Sequence, residues 1–242
     1  MDKMVYRISR FAHQVHRKLL TPTCISCGNR GADALDLCAP CRSELPFNRR
    51  CCPRCAIPLA IDEVLHCGHC LRLPPRYDAS YCAFEYHYPA AEFVRAMKYG
   101  HSLSHANVLG TMLADYLKGH RLDAWPTYFV PVPLSRQRFN ERGFNQAIEL
   151  GRIIEKIVRV PMNTNLLHRV RHTVEQAGLS RRERKKNLRN AFTVAAIEIP
   201  KHVAVLDDVV TTGSTMNEIA RTLKRAGVEV IEVWAVARAP LK

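Results

Sequence analysis

Two adjacent carboxylates and a loop rich in hydroxyl groups lie close together towards the end of the sequence. Asp207 and Asp208 follow the apolar run 203–206, and three residues later the loop consists of Thr211, Thr212, Gly213, Ser214 and Thr215. Such a loop can bind a phosphate through hydroxyl and backbone N–H donors, and a glycine lets the backbone approach the ligand closely. The carboxylates can accept hydrogen bonds or carry Mg²⁺. The pattern predicts a phosphate site beside a site for hydrogen-bond donors or Mg²⁺.

The elements that position these residues are indicated by the apolar pattern. Residues 203–206 are typical of a buried strand, and Met216, Ile219 and Leu223 recur at the spacing of a helix face. A strand, a short loop and a helix N-terminus together form an anion site. The loop lacks the Gly-Lys-Ser/Thr of a Walker loop and the three spaced glycines of a dinucleotide fingerprint. An ordinary strand–turn–helix with Asp207 as the helix cap is the alternative.

Eight of the ten cysteines form four Cys-x-x-Cys pairs in the first third of the sequence. The pairs are Cys24 with Cys27, Cys38 with Cys41, Cys52 with Cys55, and Cys67 with Cys70. Four thiolates hold Zn²⁺ tetrahedrally, so we predict two structural Zn²⁺ ions, with the pairing of the knuckles either sequential or interleaved. Disulfides, which need an oxidising compartment, and redox pairs are the alternatives. Cys51 and Cys82 are left over, and the apolar strand pattern around Cys82 is typical of a core thiol.

Strand and helix patterns alternate through the rest of the chain, which predicts an α/β fold with a parallel sheet and flanking helices. Strands are predicted at residues 81–88, 128–134, 165–171, 192–195, 203–206 and 230–237, and helices at 90–99, at 104–117 and after residue 146. We expect three parts: a basic amphipathic helix (1–20), a small Cys-rich zinc module (21–72) and the α/β domain (80–242), with a proline-containing linker at 71–79. Ligands of parallel sheets bind at the carboxyl ends of strands, where the aspartates lie.

The formal net charge of +14 is unevenly distributed along the chain. Residues 134–190 hold fourteen Lys/Arg against five acids, and residues 1–20 hold five against one, so these segments carry nine and four of the net positive charges. Such clustering suits a polyanionic partner, and a solvated surface is the alternative. No stretch reaches the roughly 18 apolar residues of a transmembrane helix. Charged residues interrupt any signal-peptide core near the N-terminus.

Residues 203–215 resemble the phosphoribosyl pyrophosphate (PRPP) loop of type I phosphoribosyltransferases. In that family the two acids bind the ribose 2′- and 3′-hydroxyls, and the Thr/Gly/Ser loop cradles the 5′-phosphate. The resemblance therefore implies a type I phosphoribosyltransferase-like α/β fold. It makes Asp207 and Asp208 the candidate catalytic residues and assigns PRPP, together with Mg²⁺, to the loop that begins at Thr211.

The order of motifs along nearly the whole chain is similar to that of the ComF/GntX family. These motifs are the four cysteine pairs, Lys98-Tyr99, residues 131–134, residues 142–146, Gln176 with Arg184 and Asn187, and the PRPP loop. The resemblance implies a cytoplasmic protein of DNA uptake during natural transformation, although the name of one relative is linked to gluconate use. It also implies that Ser135, Arg136 and Arg138 lie near the diphosphate, and that residues 172–190 form a mobile loop over the site.

Three functions are consistent with these features. The first is a PRPP-binding protein that handles single-stranded DNA, in contact with other DNA-uptake proteins. The second is a catalytic phosphoribosyltransferase of nucleobase salvage, and the third is a nucleic-acid-binding scaffold whose phosphoribosyltransferase fold is inactive. The candidate nucleic-acid residues are Arg181, Arg182, Lys185 and Lys186. Phe139 and Phe144 are predicted either to stack on bases or to belong to the core.

Overall fold

The computed structural model describes residues 21–60, 66–100, 102–121, 124–170, 190–195 and 198–240. The predicted basic helix at 1–20 lies outside these residues. So does most of the predicted mobile loop, with the candidate nucleic-acid residues Arg181, Arg182, Lys185 and Lys186. Among the described helices, none combines the length and the apolar content needed to cross a lipid bilayer.

A parallel sheet forms the centre of the fold, as predicted. The described strands are β1 (Ala79–Glu85), β2 (Tyr128–Pro131), β3 (Leu167–Arg169), β4 (Phe192–Val194), β5 (His202–Val210) and β6 (Val230–Arg238). Four of them pair in parallel in the order β1-β6-β5-β2. The apolar run of β5 is buried on both faces, since Ala204 and Leu206 pack in one hydrophobic cluster and Val203 and Val205 in another. Burial on both faces explains why this strand has no polar alternation.

The strands predicted at 165–171 and 192–195 do not join this sheet. They shorten to β3 and β4, which pair with each other in antiparallel fashion, with Leu167 opposite Val194. Each of these three-residue strands has a single buried residue, so each is covered on one face only. This pattern suits an antiparallel pair at the surface better than a central parallel strand.

Helices cover both faces of the sheet. The described helices are α1 (Ala39–Ser43), α2 (Gly68–Arg72), α3 (Ala90–Tyr99), α4 (Leu103–His120), α5 (Arg136–Arg142), α6 (Gln146–Val158) and α7 (Ser214–Ala226). Buried residues of α3, α4 and α6 share one hydrophobic cluster with Phe129 and Trp234. Met216, Ile219 and Leu223 of α7 belong to the cluster on the other face. The helix predictions at 90–99, at 104–117 and after residue 146 are confirmed in position.

The segment predicted as a loop after Leu134 contains the short helix α5. Ser135 caps its first turn, because the hydroxyl oxygen accepts a hydrogen bond from the backbone N–H of Arg138 at 3.4 Å. Gln137 donates to Glu141 one turn later at 2.8 Å. Gly143 ends the helix in the left-handed region at φ +69°, where glycine is favoured. The basic side chains of this segment are therefore arranged on a helix and not along an extended loop.

The Cys-rich segment packs against the sheet domain. Cys24, Leu37 and Cys38 belong to the same hydrophobic cluster as α3 and α4. The ring centroids of Phe47 and Phe84 are 5.0 Å apart. The predicted linker at 71–79 is not a free connection, because Tyr77 is 2% exposed and packs in the second hydrophobic cluster.

Candidate functional site

The two adjacent aspartates lie inside β5 and not beyond its end, because the strand continues to Val210. Asp207 is in register with Ala235 of β6, in the carboxyl-terminal half of both strands. The Asp207 carboxylate accepts a hydrogen bond from the backbone N–H of Asp208 at 2.8 Å. The pair therefore lies near the carboxyl-terminal edge of the sheet, three residues before the phosphate-type loop.

The sequence analysis named Lys98 only as part of a family motif, and its contact with Asp208 was not predicted. Its ammonium lies 2.8 Å from the Asp208 carboxylate, and the two side chains are 18% and 11% exposed. Burial lowers the pKa of Lys98, but the Asp208 carboxylate outweighs burial and the pKa is raised. The chain thus places a positive charge of its own against one of the two acids. The sequence did offer a signal for this contact. Lys98 lies four residues after the buried Val94 on an amphipathic helix, so the two side chains are on the same face.

Asp207 has an unusual protonation equilibrium. Burial and the neighbouring Asp208 raise the pKa of Asp207 to about 7, while Lys98 and Arg138 oppose the rise. Two carboxylates this close cannot both ionise without cost, and Lys98 offsets the charge of Asp208 only, so Asp207 takes up a proton or needs a further cation. Carboxylate oxygens are the ligands that Mg²⁺ prefers, so the acid pair has the chemistry of a divalent-cation site.

The phosphate-type loop lies between β5 and α7, as predicted. Gly213 occupies the N-cap position of α7 at φ +72°, a conformation that other residues rarely adopt. The Thr212 and Ser214 hydroxyl oxygens are 2.9 Å apart, and the Asn217 amide donates to the Gly213 carbonyl at 3.2 Å. The first backbone N–H groups of a helix have no intrahelical partner, so this end of α7 can donate to an anion.

Of the residues predicted to lie near a diphosphate, Arg138 is the one that α5 brings near the acid pair. Arg138 lies close enough to affect the pKa of Asp207, and Arg136 is exposed. Ser135 is 7% exposed, and its hydroxyl is used to cap α5. Burial lowers the pKa of Arg169, and the charge of Arg138 adds to this effect while Asp207 opposes it, so these three side chains lie within electrostatic reach of one another.

A basic and aromatic surface adjoins the acid pair. The Arg142 guanidinium lies 5.5 Å from the ring centroid of Tyr99, which follows Lys98 and is 69% exposed. Phe139, three residues before Arg142 on α5, is 38% exposed. Phe144 is 4% exposed and belongs to the core. Of the two phenylalanines that the sequence left open, Phe139 is therefore the one available to a ligand.

The eight paired cysteines form two clusters with sequential pairing. Among the described residues, Cys24, Cys27, Cys38 and Cys41 form the first, and Cys52, Cys55, Cys67 and Cys70 form the second, with all sulfurs of a cluster within 4.8 Å of one another. The Sγ atoms of Cys27 and Cys38 are 3.6 Å apart, and those of Cys55 and Cys67 are 3.5 Å apart. A tetrahedral Zn²⁺ with Zn–S bonds of about 2.3 Å separates its sulfurs by about 3.8 Å. All ten cysteines lie in the described ranges and are free thiols, so each cluster fits one Zn²⁺.

The electrostatics of the first cluster also fit a bound cation. Burial raises the pKa of Cys24, but backbone N–H donors outweigh it and the pKa falls to about 6. The neighbouring sulfurs of Cys38 and Cys27 raise the pKa of Cys41 to about 12. Four such thiols cannot all ionise without a positive charge between them, and Zn²⁺ supplies that charge. A closed set of four thiolates leaves no open position for a substrate, so this metal is structural.

Comparison with known proteins agrees with both parts of this arrangement. Residues 15–71 match the double zinc ribbon domain, and residues 158–241 match the phosphoribosyl transferase domain. The chain is 36% identical over 227 residues to competence protein F of Haemophilus influenzae, with 89% of this chain and 96% of the relative covered. It is 33% identical over 205 residues to the DNA utilization protein YhgH of Escherichia coli K12, with 84% and 90% covered.

A solved structure with a likeness to this chain is the glutamine PRPP amidotransferase from B. subtilis complexed with ADP and GMP. The identity is 17% and the TM-score is 0.38. The likeness covers 64% of this chain and 31% of the solved chain, so this chain spans about a third of that protein's length.

Proposed function

We propose that this chain, which belongs to the ComF family, binds PRPP with Mg²⁺ and handles single-stranded DNA in natural transformation. The names of its relatives concern competence and DNA utilization, and the phosphoribosyl transferase domain supports a PRPP-type ligand. Zinc ribbons need reduced thiols, which supports a location in the cytoplasm. The names of the relatives support work beside other DNA-uptake proteins.

One observation carries the PRPP half of the proposal. The carboxylates of Asp207 and Asp208 lie on the strand that leads into a Thr/Gly/Ser loop, and Gly213 at φ +72° opens α7. Sugar hydroxyls would donate to the carboxylates while the 5′-phosphate accepts from the loop. Arg138 on α5 supplies positive charge to the same place, where a diphosphate would lie.

Calorimetric titration with PRPP and MgCl₂ tests this half. Asp208→Asn should weaken binding about tenfold to a hundredfold, because a charge-assisted hydrogen bond contributes roughly 1.5–3 kcal/mol. Asp33→Asn is the matched control, since the Asp33 side chain is 85% exposed and lies in the Cys-rich segment. Equal PRPP affinity in a folded Asp208→Asn variant would overturn the site.

The DNA half is supported by charge and by exposed rings. Residues 134–190 carry a net charge of +9, from fourteen Lys/Arg and five acids. The exposed Tyr99 ring, with Arg142 against it, follows Lys98, which contacts Asp208, and the exposed Phe139 lies on the same helix as Arg142. Aromatic rings next to arginines are the usual platforms for unpaired bases, because every base has a face that stacks.

A salt titration of single-strand binding tests this half. Replacing Arg181, Arg182, Lys185 and Lys186 with Gln should flatten the dependence of log affinity on log salt by about 0.7 for each lost phosphate contact. The control replaces four exposed basic residues elsewhere: Arg95, Lys118, Lys201 and Arg225. Tyr99→Ala should weaken binding about tenfold with the salt slope unchanged, while Tyr99→Phe keeps the ring and the affinity. Undetectable wild-type binding at low salt would reject the DNA half.

A catalytic phosphoribosyltransferase is the second candidate, and the pKa of Asp207 near 7 favours it because that carboxylate can accept a proton near neutrality. In such a reaction the bond from C1 to the diphosphate breaks and a bond from C1 to an acceptor nitrogen forms, while the acceptor's proton passes to Asp207. Pyrophosphate release with free nucleobases or DNA is the assay. Tight PRPP binding without release would favour the binding role, and no PRPP binding would favour the inactive scaffold.

A further inference from the structure

A buried arginine joins the second cysteine cluster to the phosphate-type loop. Arg238, at the end of β6, is 2% exposed. Its Nε donates to the carbonyl of Cys55, one of the four cysteines of the second cluster, at 2.8 Å. Its Nη1 donates to the carbonyl of Val210 at 2.9 Å and also to the carbonyl of Thr211, the first residue of the loop. One guanidinium thus bonds both a zinc-binding turn and the start of the ligand loop.

The chain that follows the second cluster makes further contacts with the same loop. The backbone N–H of Arg76 donates to the Asn217 side chain in the first turn of α7 at 2.8 Å. Asn217 in turn holds the Gly213 carbonyl. The Tyr77 hydroxyl lies so near Gly213 that an added Cβ there would be 3.3 Å from it. The loop is therefore held on two sides, by a residue bonded to the second cluster and by residues that follow that cluster closely in the chain.

The zinc-binding turn is itself fixed to the sheet. The backbone N–H of Ser80 in β1 donates to the Pro53 carbonyl at 2.9 Å, and its hydroxyl donates to the Arg54 carbonyl at 2.9 Å. The Cys55 carbonyl thus has a defined position only while the turn 52–55 keeps its shape. A metal held by Cys52 and Cys55 would add to these sheet contacts in fixing the turn.

We propose that the second zinc site sets the conformation of the phosphate-type loop through Arg238, which is a positioning residue for the ligand. Loss of this metal would free the Cys55 carbonyl and loosen the loop. By linkage, a phosphate ligand in the loop would in turn hold this zinc more tightly. The proposal takes its ligand from the proposed function, but the effect of the second zinc site and Arg238 on the loop conformation can be tested without a ligand.

Hydrogen–deuterium exchange of the backbone amides in residues 211–217 is the first readout. Arg238→Met should speed their exchange about tenfold while both zinc ions stay bound, and Arg225→Met, at an exposed arginine, should leave it unchanged. Because Arg238→Met leaves buried carbonyls without a donor and could unfold, a second pair of variants is needed. Cys67→Ser should speed exchange in the loop beyond what its loss of global stability explains, whereas Cys27→Ser, in the first cluster, should speed it no more than its loss of global stability explains. Equal exchange in all these variants would overturn the proposal.

Zinc release from the wild-type protein to a colorimetric chelator is the second readout. Ribose 5-phosphate should slow the release of one of the two ions about tenfold, and Cys67→Ser should abolish that slow phase while Cys27→Ser keeps it. Release unaffected by a sugar phosphate that binds would contradict the coupling and leave the proposed function intact. A loosened loop in Cys67→Ser, together with no binding of PRPP by the wild type, would reject the proposed function and leave the coupling intact.

Discussion

The first and second zinc sites have the same four ligands and very different surroundings. In the first, Cys24 and Cys38 belong to the large hydrophobic core that also contains Phe93 and Met97 of α3. In the second, all four cysteines are buried in a small cluster of their own, with Ile57 and Leu59 against it. The first therefore shares the main core, whereas the second has a hydrophobic cluster of its own and is joined to the sheet by hydrogen bonds at its 52–55 turn.

The two sites also reach different halves of the ligand site. The first shares its core with α3, the helix that carries Lys98 to Asp208. The second reaches the phosphate-type loop through Arg238. A set of cysteines indicates which metal is bound, whereas the residues around it decide what the metal supports.

The largest expected effect is on global stability, and it separates the two sites. Cys38→Ser should lower the free energy of unfolding by more than about 4 kcal/mol, because it removes a metal from within the main core. Cys67→Ser should cost less, because its cluster is separate. Denaturant titration measures both, and elemental analysis should find two Zn²⁺ in the wild type and one in each variant. A larger loss in Cys67→Ser would reverse the comparison.

The next largest expected effect is the loss of stability on removing Lys98, which α3 places against Asp208. Lys98→Met leaves the Asp208 carboxylate poorly solvated and without its cation, which should destabilise the protein by about 3 kcal/mol. MgCl₂ should restore part of the loss, because the freed acid pair can bind a divalent ion. Thermal unfolding with and without MgCl₂ is the measurement, and Lys118→Met, at an exposed lysine, is the control. A full loss that MgCl₂ does not reduce would contradict a cation site at the acid pair.

A smaller effect is the pH dependence of stability at Asp207. Its pKa rises from 3.8 to about 7 on folding, so its contribution to stability is fully present below about pH 4 and is lost as the pH rises through 7. The free energy of unfolding of Asp207→Asn, compared with that of the wild type, should therefore increase between pH 4 and pH 8 by on the order of 1 kcal/mol or more. Melting temperatures at pH 5 and pH 8 measure this gain, with Asp33→Asn as the exposed control. A difference that does not grow with pH would contradict the raised pKa.

Local patterns were sufficient for the parts of the site that are close in sequence. The apolar run before Asp207 and the helix spacing after Thr215 placed β5, the loop and α7, and the Cys-x-x-Cys spacing identified the zinc ligands. These features depend on neighbouring residues, so the sequence carries them directly. The pairing of the knuckles needed the structure, because both pairings have the same local spacing.

The contacts that sequence reasoning missed join residues that are far apart along the chain. Lys98 contacts Asp208, which lies 110 residues further along the chain, and Arg238 contacts Cys55, which lies 183 residues before it. No periodicity relates such residues, because only the packing of α3 and the strand order bring them together. The helix α5 was missed for a local reason: a run of polar residues without an apolar face has the composition of a loop, and its Ser135 cap and Gly143 end were not used.

The most direct test of the ligand site compares two glycines at the two ends of α7. Gly213 has φ +72° in the phosphate-type loop, and Gly227 has φ +106° at the other end, with no atom within 4 Å of an added Cβ. Alanine at either position should cost about 1–2 kcal/mol of stability, because both need a left-handed backbone. Titration of the two folded variants with PRPP and MgCl₂ is the measurement. We expect Gly213→Ala to lose at least about tenfold in affinity and Gly227→Ala to bind as the wild type does, and equal affinity in both would contradict a PRPP site at this loop.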